Sequence, residues 1–138
     1  MPTIRELGIG LVAYAPSSWG FLTGAFKKPE DIKDGRARMP RYQGDNFYKN
    51  LQLVEKIKIG AVEKGCTLSQ LAIAWLLAQG EDIITIPGTK RIKYLEENIA
   101  SEKVQLTAND LESIEAIMPA GIVSGTRYPE MFMNTLSR

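Results

Sequence analysis

Thr89, Lys90 and Arg91 place a hydroxyl and two cations directly after Pro87-Gly88, a pair that turns the chain sharply. Before the turn stands Ile83-Ile84-Thr85-Ile86, apolar, β-branched and too short for a helix, which reads as a buried strand. After it, Ile92, Leu95 and Ile99 recur as on one face of a helix. A strand, a glycine turn and a helix whose first residues are a hydroxyl and two cations can hold a phosphate. Open backbone N–H groups, the helix field and the side-chain charges would all act on one anion. A Lys-Arg pair at a surface turn is more often plain solvated charge, and the residues alone leave both readings open. Arg36, Arg38 and Arg41 pose the same choice earlier in the chain, and there the sequence favours water. The sequence has no histidine and one cysteine, Cys66, so neither a Cys/His zinc site nor a disulfide framework is available and no metal is expected. Acid–base chemistry would fall to Tyr, Lys, Asp or Glu.

The composition sets the class. The 138 residues suffice for one domain, 44% are apolar, and 17 basic against 16 acidic residues leave a net charge of +1. This is a globular balance, with no basic surplus to attract nucleic acid or an acidic membrane. The apolar runs fall well short of a membrane span. Residues 1–7 show no charged-then-apolar-then-small pattern, so a cytoplasmic chain is the expectation.

The elements that must position Thr89–Arg91 follow from periodicity. Ile4 to Leu7 with Gly8 read as the last turn of a helix and its glycine cap. Ile9 to Tyr14 read as a second buried strand, ended by Pro16. Residues 15–46 are punctuated by glycine, proline and serine and read as a long segment of low order, with one helical turn at Pro29-Glu30-Asp31. Trp19-Gly20-Phe21-Leu22 could tuck an aromatic over a cavity or simply pack on the core. Asn46 is a candidate cap for a helix to Lys64, with Phe47, Leu51, Val54, Ile57, Ala61 and Val62 near helical spacing. Thr67 and Gln70 form a capping box for an apolar helix from Leu68 to Leu77, and Cys66 reads as an inert small hydrophobe. Lys103 to Leu106 form a connector. Thr107 and Asp110 open a last helix with Leu111, Ile114 and Ile117 on its apolar stripe. The tail from Ile122 is either packed on the body or mobile. Two parallel strands with helical crossovers make an α/β fold, but two strands are too few for a covered sheet, so the chain reads as part of a larger domain.

The chain resembles the C-terminal part of the aldo-keto reductase family, particularly its plant and fungal NADPH-dependent members. The family motif A-Y-S-P-L-G-x-G-F-L-T-G stands here as Ala13-Tyr14-Ala15-Pro16-Ser17-Ser18-Trp19-Gly20-Phe21-Leu22-Thr23-Gly24. The motif I-P-G-T-x-x-x-x-x-L-x-x-N stands as Ile86-Pro87-Gly88-Thr89 with Leu95-Glu96-Glu97-Asn98, and Gly65-Cys66-Thr67, Gln70-Leu71-Ala72 and Ala74-Trp75 match the helix between. The resemblance implies one partial reductase domain over 1–138. It would be a C-terminal fragment of a (β/α)8 TIM barrel holding the last two strands, with 15–46 as a long active-face loop and 119–138 as a tail.

By the same resemblance the cofactor is NADPH. Tyr14 stacks on the nicotinamide, Ala15, Pro16, Ser17, Trp19, Gly20 and Leu22 line the dinucleotide, and Lys90 and Arg91, beside Gly88, meet the 2′-phosphate. Tyr94, Glu97 and Asn98 match adenosine-binding positions. Two departures stand out: Ala15 replaces a serine, and Ser17-Ser18 replace Leu-Gly, which removes backbone freedom at position 18. The family's proton-donating tyrosine and its aspartate, lysine and histidine belong to the first half of the barrel. The resemblance thus implies a fragment of an enzyme that reduces aldehydes or ketones by hydride transfer, itself inactive and without catalytic residues. The alternative is a non-enzymatic module that binds a dinucleotide or a partner. Exposed strand sides would invite a complementary N-terminal half or self-association.

Overall fold

The computed structural model describes residues 1–134 and Leu136; Thr135, Ser137 and Arg138, at the end of the expected tail, lie outside the described residues. The helix expected to end at Leu7 is α1, Pro2–Glu6, and Gly8 follows it at φ +64°. Strand β1 spans Leu11–Tyr14. Helices α2, Gly44–Glu63, and α3, Leu68–Leu77, lead to β2, Ile83–Ile86, and α4, Ile92–Ala100, α5, Ala108–Ile117, and α6, Glu130–Met133, complete the chain. The two strands pair in parallel, Leu11 opposite Ile83 and Tyr14 opposite Ile86, so both reach the same edge with their C-terminal ends.

The strands were expected to be buried, and one face of them is not. In a parallel pair, partnered residues share a face, and β2 lies against α3, where Ile83 is 5% exposed. Val12, Tyr14, Ile84 and Ile86 make up the other face and are each more than half exposed. A parallel strand is buried on both sides only when both faces are covered, and among the described residues this sheet is covered on one.

The core lies beside the sheet, not on it. It gathers Phe21, Ile32 and Tyr42 from the long segment with Phe47, Val54, Ile57 and Ala61 of α2 and Leu68 and Leu71 of α3. The expectation of low order for 15–46 is therefore corrected. Short 3-10 turns within Ser18–Thr23, which is kinked at Trp19 and Gly20, and at Pro29–Asp31, Gly35–Arg38 and Pro40–Tyr42 fold the segment inward. Phe21 stacks on Tyr42 at 5.3 Å between ring centroids and meets Phe47 edge-on at 5.3 Å. Aromatic burial organises this segment without regular hydrogen-bonded structure, which periodicity cannot register.

Helix α2 starts at Gly44, so Asn46 does not cap it; the Asn46 amide donates to the Pro40 carbonyl at 3.1 Å instead. Val62, placed on the apolar stripe by spacing, is 70% exposed. The capping boxes at Thr67/Gln70 and Thr107/Asp110 form as expected, each satisfying orphan N–H groups of a helix start. Burial pushes the Cys66 thiol up, away from its reactive thiolate form. Among the described residues, no helix is long and apolar enough to cross a membrane.

Candidate functional site at the strand ends

The parallel register brings the segment after β1 and the turn after β2 to one edge. The first of these is held in unusual backbone. Ala15, Ser18 and Trp19 sit at φ near +50° and Gly20 at +92°, a region that costs a residue with a side chain of the order of 1–3 kcal/mol. Position 18, where the family motif carries glycine, is one of these, so the expected loss of freedom falls on a residue that needs it. Such a conformation persists only if its surroundings hold it. Tyr42 donates its hydroxyl to the Ser18 carbonyl at 2.9 Å, and the Arg36 guanidinium donates to the Trp19 carbonyl. Arg36 was expected to face water. It is instead forked onto Asp34 at 2.7 to 3.1 Å and lies over the Phe26 ring, 5.1 Å from its centroid. The guanidinium in turn holds the Asp34 carboxyl at about 2. Arg41, also assigned to water, is half-buried and donates to the Gly125 carbonyl at 3.2 Å. Arg38 is exposed, as expected.

The candidate residues divide at this loop. Tyr14 is 52% exposed at the strand end, and Trp19 stands 6.3 Å from it between ring centroids. Ala15, Ser17 and Gly20 belong to the same strained turn, where the Ser17 carbonyl accepts from the Gly20 and Leu22 N–H groups. Pro16 and Leu22 turn the other way. They line an apolar cleft of about 180 Å³ with Leu71 and Trp75 of α3 and Ile114 and Met118 near the end of α5.

The turn after β2 keeps its charges open. Thr89, Lys90 and Arg91 precede the helix rather than opening it, and Arg91 occupies the cap position of α4 without a side-chain cap. The first N–H groups of α4 therefore lack a side-chain acceptor and lie next to two cations. Thr89 Oγ1 accepts from the Arg91 N–H at 3.3 Å, and the Arg91 guanidinium stands 5.8 Å from the Tyr94 ring centroid. Gly88, Lys90 and Arg91 are exposed, and neither cation is in an ion pair among the described residues. Glu97 is partly committed elsewhere: its Oε1 accepts from Thr67 Oγ1 at 2.6 Å and its carbonyl from Gln70 Nε2 at 3.2 Å, tying α4 to the start of α3. Asn98 is half-buried, and its carbonyl accepts from Ser101 Oγ at 2.5 Å.

Three residues at the site carried no role in the sequence reading. The tail returns to the C-terminal end of β1, where Tyr128 packs edge-on against Trp19 at 5.8 Å and sets its hydroxyl 3.1 Å from that of Tyr14. Arg127 reaches the Tyr14 hydroxyl at 3.5 Å. Hydrogen bonding from Tyr128, helped by the Arg127 charge, lowers the Tyr14 pKa while that of Tyr128 rises. The third, Asn50, anchors the tail. Only 5% exposed, it donates to the carbonyls of Ser124 and Arg41 and accepts from the Ser124 N–H at 2.8 Å. A polar residue on the Phe47–Val54–Ile57–Ala61 stripe was the available signal for it; nothing local marks Tyr128 or Arg127.

A model of the Aldo/keto reductase family matches residues 1–119. The chain belongs to that family. Among its curated relatives, the aldo-keto reductase yakc of Schizosaccharomyces pombe, whose name specifies NADP(+), is 49% identical over 98% of this chain and 42% of its own length. The aldo-keto reductase str7 of Strobilurus tenacellus is 39% identical over 95% of this chain and 40% of its own. This aldo/keto reductase chain thus spans about two fifths of the length of these relatives. The glycerol dehydrogenase of Gluconobacter oxydans superposes with a TM-score of 0.71 at 23% identity, over 85% of this chain and 36% of that one. That likeness shows the fold: an α/β portion of a β/α barrel, with two parallel strands side by side.

Proposed function

We propose that this aldo/keto reductase chain forms the NADPH-binding side of a barrel that reduces aldehydes or ketones, and that its 138 residues alone bind the dinucleotide without turning over a carbonyl. The observation that carries this reading is the parallel register, which sets the exposed Tyr14 ring and the uncapped, cationic start of α4 on one edge. These residues fit the group. A ring face with more than half its residue exposed suits a flat heterocycle, and two cations outside any ion pair among the described residues, beside open N–H groups, suit a phosphate. Bound NADPH supplies the hydride for the carbonyl carbon.

The chain's own residues divide the remaining work. Tyr14 and Trp19 give the nicotinamide a wall, and the turn from Ala15 to Gly20, with Pro16, Ser17 and Leu22 contributing backbone, fixes the dinucleotide's course. Gly88 lets the chain pass close to the phosphate that Lys90 and Arg91 neutralise. Tyr94, Asn98 and the Glu97 oxygen not engaged by Thr67 hold the adenosine end. Residues 15–46 act as the active-face loop and 119–134 as the part of the tail that closes over it. Tyr14 serves the cofactor rather than donating a proton, so turnover awaits acid–base groups outside these residues.

Titration of the chain with NADPH and with NADH, followed by calorimetry, tests the reading. NADPH should bind roughly tenfold or more tightly, and a Lys90→Ala/Arg91→Ala variant should lose that margin, the scale expected for charge-assisted hydrogen bonds to a phosphate. Carbonyl added to the NADPH complex should leave the NADPH absorbance unchanged. Equal affinity for the two cofactors, or indifference to the double substitution, would remove the reading.

A further inference from the structure

Arg41 and Arg127 are neighbours through the tail: Arg41 Nε donates to the Gly125 carbonyl, two residues before Arg127. Neither guanidinium is in an ion pair among the described residues. Each presents five N–H donors, and the structure gives Arg41 one acceptor and Arg127 one, the Tyr14 hydroxyl at 3.5 Å. Burial lowers the Arg41 pKa, and the Arg127 charge lowers it further. Like charges without a carboxylate between them are relieved by an anion.

The tyrosines point to the same place. Tyr14 Oη accepts from Arg127, and with Tyr128 donating across the 3.1 Å contact it accepts a second time. A phenol oxygen has two acceptor lone pairs and one proton, so the Tyr14 O–H is left to donate outward. Asn50 and the fit of Gly125 hold this arrangement in register: a Cβ at Gly125, where φ is +83°, would stand 2.9 Å from the Pro40 carbonyl carbon and 3.0 Å from the Arg41 nitrogen.

We infer that Arg41, Arg127 and the Tyr14 hydroxyl form an anion subsite beside the exposed Tyr14 ring, fitted to a carboxylate carried by the carbonyl substrate. The assignment to substrate rests on the proposed reading that Tyr14 marks the nicotinamide end of the groove. The adenosine side has its own cations at Lys90 and Arg91. A planar carboxylate suits a guanidinium fork, which it meets with two parallel hydrogen bonds.

Trp19, 5.8 Å from Tyr128, is a built-in reporter, and Trp75 is the other tryptophan of the chain. In a Trp75→Phe background the chain is titrated with benzoate, benzamide and inorganic phosphate while Trp19 fluorescence is followed. Benzoate should give a saturable change, at least tenfold tighter than benzamide and tighter than phosphate. Arg127→Ala, an exposed position that should not impair folding, should weaken benzoate at least tenfold, and Arg127→Lys should restore part of it. Equal binding of benzoate and benzamide, or an unaffected Arg127→Ala variant, overturns the subsite; tighter phosphate overturns its carboxylate assignment. Lys90→Ala/Arg91→Ala should leave benzoate binding unchanged, so failure of the cofactor reading shows in the NADPH titration and failure of the subsite in the benzoate titration.

Discussion

Asp110 shows how much one side chain can join. Its carboxylate accepts from the Thr107 N–H and from Thr107 Oγ1, both at 2.7 Å, and from Lys64 Nζ at 2.5 Å. It thereby caps α5 and fastens it to the residue that ends α2. The Lys64 ammonium, with Thr107 adding to it, holds the Asp110 carboxyl at about 2, below its ordinary 3.8. A carboxyl depressed on folding contributes stability above its unfolded pKa and loses it as pH falls through the folded value. Thermal melts should therefore decline between about pH 4 and pH 2, and Asp110→Asn should flatten the decline and converge with the parent chain at the acid end. Parallel melting curves across that range would contradict the role. Thr107 and Asp110 were legible in sequence because a capping box is local. Lys64 was not, since the ion pair depends on how α2 and α5 meet.

Among the elements, the segment between β1 and α2 departs most from its sequence reading. Its glycines and prolines signal turns correctly, and Pro29–Asp31 forms the single helical turn its residues suggest. What composition conceals is that Phe21, Ile32 and Tyr42 are core residues, each under 10% exposed. Tyr42 also donates to the Ser18 carbonyl, so the core is joined directly to the left-handed run at Ala15, Ser18 and Trp19. Tyr42→Phe keeps the ring stack with Phe21 but removes the donor to the Ser18 carbonyl. The variant should lose about 1–3 kcal/mol in denaturant melts and bind NADPH more weakly. Unchanged stability together with unchanged affinity would mean the loop is held by other contacts. Arg36 and Arg41 were misassigned to water for the same reason: their acceptors, Trp19 and Gly125, are remote in sequence.

At the scale of the molecule, the core sits among α2, α3 and the long segment, while the sheet presents an open apolar face of Val12, Tyr14, Ile84 and Ile86. Both strands also end the sheet, so each has one edge of backbone groups without a strand neighbour. Helix α4 adds Ile92 and Ile99, exposed by 76% and 62%. Exposed apolar surface of this kind favours association, with a further barrel segment or with another copy. Sedimentation of the chain should show association that grows with concentration, and Ile84→Lys/Ile86→Lys should shift it toward monomer. A monodisperse monomer that melts cooperatively would overturn this expectation.

The sequence by itself determined the presence of the two strands, the order of the main helices, both capping boxes and the family, because these depend on spacing within a few residues or on contiguous motifs. It placed Tyr14 and the Lys90–Arg91 turn at strand ends for the same reason. Tertiary structure alone decided which sheet face stays open, that Pro16 and Leu22 turn toward α3, and that Glu97 serves Thr67. It alone brought Arg127 and Tyr128 more than a hundred residues along the chain to Tyr14. Those contacts form when separate elements pack, and packing joins residues by shape and charge, whatever their distance along the chain.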